Sequence, residues 1–223
     1  MNAVRRTFVA AGVLAILATV RIGPVSAAAP ATLHDLNHVE AAAEAVADGD
    51  VAGPAARYDA RIAVAAWPAA RVALRRLGVA VTGLQDADYA VAVLDADVAG
   101  KRALRRDANE VTGAIAPLFA VVGDAVPAAV HRLDYLQRAI ALDAVANDWP
   151  AARADLASLE AVWAQFRPRA VALHGGAPTV ARFESSRARL VAAVASGRLA
   201  TTKHAAGAVA AGVDGLEALF SVN

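Results

Sequence analysis

Cysteine is absent from the 223 residues. Disulfides, thiolate metal sites, covalent haem attachment and a lipidated cysteine anchor are therefore excluded. Aromatic residues make up only 5% of the chain. Threonine is also sparse, so the side chains that favour strands are mostly missing. No basic stripe is present: the cations are nearly all Arg, interleaved with Asp and Glu, and the net charge is +1. That argues against nucleic acid as a partner. No serine sits in a strained elbow, no Gly-rich loop could cradle a phosphate, and His-Glu-x-x-His does not occur. No acid–base or nucleophile arrangement therefore points to an enzyme.

What the chain does have is alanine. Hydrophobic residues reach 58%, and Ala is the best helix former. The expected class is all-α. Because each Ala buries little area, the core should depend on the Leu, Val, Phe and Trp positions.

Residues 1–29 read as an export signal. Arg5 and Arg6 precede the apolar run Val9–Val20, and Val25-Ser26-Ala27 offers a small-residue cleavage site. A run of about 12 residues is too short to cross about 30 Å of hydrocarbon. Arg5-Arg6-Thr7-Phe8-Val9 resembles the twin-arginine signal, and Arg21 before the cleavage site fits that route. Removing Arg5, Arg6 and Arg21 takes the formal charge from +1 to −2. No second apolar stretch follows, so the expected mature protein has no transmembrane segment and is periplasmic or secreted.

The remainder resembles itself. Leu33-His34-Asp35-Leu36 aligns with Val130-His131-Arg132-Leu133, and Pro54-Ala55-Ala56-Arg57 with Pro150-Ala151-Ala152-Arg153. Trp67 aligns with Trp163, and Leu118-Phe119 with Leu219-Phe220. One folding unit therefore reads as copied in tandem, over 30–124 and 125–223. Each copy reads as roughly four antiparallel helices. In the first copy they cover 32–47 with Thr32 as cap, 54–77, 86–98 and 102–119. In the second they cover 127–146, 150–173, 178–196 and 199–220. Pro68 and Pro168 predict a kink or a break, and Pro117 a disturbed last turn. Trp67 and Trp163 read as core anchors.

His34 and His38 lie four apart, so one helix turn brings the two imidazoles together as a potential chelate. Asp35 and Glu40 point away from that pair. The second copy keeps His131, has Tyr135 where the first has His38, and adds Asp134 three residues after His131. The candidate metal ligands are His34, His38, His131 and Asp134. The competing reading makes the histidines hydrogen-bonded core residues. Asp107 and Glu110 could reach the first helix but read as a solvated face.

Ala129-Val130-His131-Arg132-Leu133-Asp134-Tyr135 resembles the Gly-x-His-x-x-Glu region of imelysin-like proteins, which include the periplasmic component of the Efe-type iron-uptake system. Ala47-Asp48-Gly49-Asp50-Val51-Ala52 through Ala56-Arg57-Tyr58 is similar to the helical hairpin of that family. The resemblance implies an all-α, duplicated bundle outside the inner membrane, linked to iron acquisition. His131 would be the motif histidine. Asp134 stands for the motif glutamate and Ala129 for its glycine.

Two expectations follow. One is an exported, non-catalytic bundle binding iron or another first-row metal ion for uptake or delivery, with a membrane or periplasmic protein as partner. The other is a metal-free extracytoplasmic interaction module that docks a partner protein or an apolar ligand through its helical faces.

Overall fold

Apolar residues recur at helical spacing along the sequence after residue 29, and nearly all of the described length is helix. A computed structural model describes residues 29–49, 53–100 and 104–221, and among these it contains no strand. The expected export signal lies outside the described residues, except for Ala29, which opens the first helix. The helices are α1 (Ala29–Asp48), α2 (Pro54–Arg76), α3 (Gln85–Ala99), α4 (Arg105–Ile115), α5 (Phe119–Val122), α6 (Ala128–Val145), α7 (Trp149–Val171), α8 (Gly176–Ser196) and α9 (Leu199–Ser221). Short 3-10 turns at Val81–Leu84 and Ala116–Leu118 lead into α3 and α5. No described helix is long and apolar enough to cross a membrane.

Each half closes a ring of four packed helices. In the first, α1 packs on α2 and α4, and α3 bridges α2 and α4. In the second, α6 packs on α7 and α9, and α8 bridges α7 and α9. Each ring encloses its own apolar cluster, one running from Leu36 to Val122 and the other from Val130 to Phe220. The stripe Leu36, Val39, Ala43 and Ala47 of α1 is buried as its spacing requires. Trp67 and Trp163 are both core residues. The second core is the more aromatic: Trp163 lies 4.3 Å from Phe183 and Phe166 lies 5.4 Å from Phe220, centroid to centroid.

Several details differ from the sequence reading. Thr32 does not cap α1; it is buried inside a helix that is already formed at Ala29. Pro68 and Pro168 break neither helix, since α2 and α7 continue through them. Both prolines are exposed, and on a solvent-facing side the carbonyl one turn back can turn to water. Pro117 does end α4, converting the chain to a 3-10 turn. At the end of α7, Gly175 takes φ +75°, a left-handed conformation that suits glycine and starts α8.

The halves meet along α6. This helix touches α4 and the 116–118 turn as well as its own bundle, and 13 of its 18 residues are buried. Gly113 of α4 makes that approach possible, because a Cβ there would come within 2.6 Å of the Tyr135 ring. Gly113→Ala is therefore expected to cost about 1–3 kcal/mol through overpacking. Gly207→Ala, where nothing lies within 4 Å, should instead gain about 0.4–1 kcal/mol. Urea midpoints of the two variants check this, and equal shifts would rule out a tight α4–α6 contact.

Candidate functional site

A helix buried on all sides must hide whatever polar residues it carries. α6 hides His131, Asp134, Gln137, Arg138 and Asp143. His131, Asp134 and Arg138 share one stripe of the helix at i, i+3 and i+7. Facing it on α1 is a second stripe, Glu40, Glu44 and Asp48 at i, i+4 and i+8. α1 and α6 are joined through these long side chains.

His131 is held on every side. Its Nδ1 lies 2.8 Å from Glu40 Oε1, and its Nε2 lies 3.1 Å from Asp124 Oδ2. The ring stacks on Phe119, with centroids 3.9 Å apart and planes 8° from parallel. Burial alone would lower its pKa, but the hydrogen bonds to Asp124 and Glu40 outweigh that and push it up to about 10. The ring is therefore an imidazolium donating from both nitrogens.

Arg138 anchors the other end of the seam. Its Nε donates to Asp48 Oδ1 at 2.8 Å, and its Nη2 donates to Glu44 Oε1 at 3.0 Å and Asp134 Oδ2 at 2.5 Å. Burial works against its charge, yet Asp134, Glu44 and Asp48 raise its pKa. Its Nη1 is buried without an acceptor, an unsatisfied donor worth about 1–3 kcal/mol. Asp134 also accepts from Gln137 Nε2 at 3.2 Å.

Carboxylates outnumber the cations here. Burial lifts Glu44 to about 9 against the pull of Arg138, and a hydrogen bond to Asp134 helps hold its proton. Burial and the Asp134 charge lift Glu217 of α9 to about 7, and Asp214 is raised for the same reasons. Glu40, Glu44, Asp48, Asp124, Asp134, Asp214 and Glu217 thus gather around His131 and Arg138.

The sequence-derived candidates separate. His131 and Asp134 lie in the seam, whereas His34 and His38 are exposed on α1. The expected equivalence of His34 and His131 does not hold. α1 belongs to one bundle and keeps a face in water, while α6 is clad by both. Glu40, read as pointing away, is a direct partner of His131, because that partner comes from the other half and not from His34 or His38. Glu110, read as solvated, accepts from Tyr135 Oη at 3.2 Å. Among the described residues no three His, Asp or Glu side chains gather so as to hold a metal ion. The sequence signal for the seam was the i, i+4, i+8 acidic stripe on α1. Comparison with protein-family models, curated proteins and solved structures yields no match.

The seam gives stability a definite pH dependence. His131 has its pKa raised from 6.5 to about 10, so its contribution is complete below pH 6.5 and is lost as pH climbs through 10. Glu44 and Glu217 bind protons more tightly folded than unfolded, so ionising them also destabilises the fold, between 4.5 and about 9 and between 4.5 and about 7. All three act in the same direction. The urea midpoint is expected to fall from about pH 5 to about pH 10, and Glu44→Gln should flatten the part below pH 9. A Glu44→Gln profile parallel to the parent would show that Glu44 is not the titrating group.

Proposed function

We propose that the mature chain is an exported, non-catalytic helical module that docks a protein partner through its helical faces, with the buried seam as the brace between its halves. His131 carries this reading. Both of its nitrogens are committed to carboxylates, and their hydrogen bonds favour its charged form, so the ring serves the seam rather than an open ligand position. The residue then acts as a structural cation. Removing one partner of such a buried pair costs about 3–5 kcal/mol. The matching order of helix packing in the two rings supports a tandem copy of one unit. The Arg5-Arg6 signal supports export by the twin-arginine route to the periplasm or beyond.

A second reading rests on the surplus of acid. A first-row metal ion, iron first among them, could replace the protons that Glu44 and Glu217 retain, and oxygen donors suit such ions. Since no three such side chains among the described residues already gather to hold an ion, Glu44, Asp134 and Glu217 would have to draw together around the cargo for uptake or delivery, with His131 and Arg138 positioning them. In that case His34 and His38 take no part, and the link to imelysin-like proteins runs through His131 and Asp134.

Calorimetric titration of untagged mature protein with anaerobic Fe2+, Mn2+ and Zn2+, together with melts in EDTA, separates the readings. The docking module is expected to bind no ion tighter than the millimolar range and to keep its melting temperature in chelator. His131→Gln should lower that temperature without changing any metal heat. Micromolar binding that is abolished by Asp134→Asn yet survives the His34→Ala/His38→Ala pair would overturn the docking module in favour of the metal carrier.

A further inference from the structure

Away from the seam, the outer face of α8 and α9 carries a groove. One cavity of about 370 Å³ lies between Arg182, Ser186 and Arg189 of α8 and Ala208, Ala211 and Gly215 of α9. A second, of about 340 Å³, shares Arg189 and Ala208 with the first and extends to Arg198 and His204. The two form one trough, floored by small residues and edged by cations. It follows α8 from Arg182 to Ser196, about 21 Å or four helical turns.

Its polar groups are uncommitted. Arg189 donates only to Ser185, and Arg182 only to Thr179 at 3.4 Å. Neither they nor Arg198 pair with a carboxylate among the described residues, unlike Arg167 with Glu184 and Arg187 with Glu160 where α7 meets α8. Ser186 is only 8% exposed and lines the first cavity, yet its hydroxyl has no hydrogen-bond partner among the described residues. No carboxylate lines either cavity. Arg182, Ser186 and Arg189 share one side of α8 at i, i+4 and i+7. A sunken hydroxyl and two free guanidinium groups in a row call for an occupant that brings carboxylates.

The floor points to a rod. Ala208, Ala211 and Gly215 recur along α9 at i, i+3 and i+7, so nothing bulky holds another helix off. Gly212 beside them is required from within, since a Cβ there would come 3.0 Å from the Phe183 ring. Gly215 is not, because an added Cβ would meet only Thr179, at an ordinary 3.7 Å. Glycine weakens a helix interior relative to Ala, which leaves close approach from outside as the use of Gly215. No Phe, Tyr or Trp lines the trough, so nucleic-acid bases would find no stacking platform. A flat anionic bilayer could reach the exposed arginines but not the sunken Ser186 hydroxyl.

We propose that the α8/α9 trough docks an acidic helix of a partner protein, whose carboxylates stand seven residues apart and meet Arg182 and Arg189, with Ser186 bonding to one of them. Seven residues span about 10 Å on either helix, so the two rows stay in register when the helices lie nearly side by side. One helix in one trough is smaller than a standard interface, so the association is weak and sensitive to salt. The proposal rests on the docking-module reading, names the chemistry of its partner and uses a face apart from the seam.

Fluorescence anisotropy with labelled, end-capped, Ala-rich peptides of about 21 residues, long enough to populate helix, tests it. One peptide carries glutamates seven apart, and a control of the same composition carries them five apart, which scatters them around the helix. The first is expected to bind the mature chain at low salt at least about tenfold more tightly than the control, and to be released at high salt. Arg182→Glu/Arg189→Glu should weaken it at least about tenfold, as like charges replace attraction. Ala211→Trp, which fills the trough without changing its charge, should do the same, and far-ultraviolet circular dichroism confirms that both variants are folded. Equal binding of the two peptides overturns the proposal, as does binding untouched by Ala211→Trp, or none up to about millimolar peptide. If instead the chain sediments with vesicles of equal parts phosphatidylcholine and phosphatidylglycerol, in a way that needs both arginines, while the peptide does not bind, a lipid surface replaces the helix. Each of these failures leaves the docking module standing on another face, because that reading fails only on tight metal binding.

Discussion

Moving a charge out of water costs several kcal/mol even after a protein relaxes around it, and a partner recovers that cost only when geometry and hydrogen bonding are good. α6 places an imidazole and a guanidinium in such a setting. Its position between two bundles denies it a solvent face, so His131 and Arg138 must find carboxylates, and those come largely from the other half. Glu40, Glu44 and Asp48 of α1 and Asp124 before α6 meet this need. The packing of one half against the other thus rests on ion pairs that exist only when the halves are in register.

Such a seam is a poor source of raw stability and a good source of specificity. Two Ala-rich bundles offer each other shallow, similar surfaces, and many dockings would bury comparable apolar area. A docking that leaves His131 or Arg138 without its acids is heavily penalised, so the register is selected by exclusion. Gly113 adds a steric condition at the same boundary, since only the bare backbone there accommodates the Tyr135 ring. The surplus of acid has a further consequence. Protons held by Glu44 and Glu217 near neutrality make the junction of the halves the part of the molecule most responsive to pH or to an incoming cation.

The outer surfaces obey the opposite rule. Exposed charges such as Asp86 and Asp95 of α3 and Arg189 of α8 remain in water and pay no desolvation cost, so they can stay unpaired within one chain. The seam, by contrast, is satisfied from within.

Helix positions were legible because they depend on local spacing. The α1 stripe Leu36, Val39, Ala43 and Ala47 and the Trp67 and Trp163 anchors follow from 3.6-residue periodicity. Of the kink or break expected at Pro68 and Pro168, the break does not occur, because tolerance of a proline depends on which side faces water, a tertiary property. Repetition in the sequence likewise made His34 and His131 look alike. Their environments differ because one helix is clad on one side and the other on all sides. The acidic stripe on α1 was visible, but its partner was not, since residues some ninety positions apart share no local pattern. The amino-acid order by itself determined an all-helical chain of matching rods, through backbone propensity and apolar period. Only the tertiary structure decided which polar residues are buried and with whom they pair, because burial of charge depends on how whole helices are stacked.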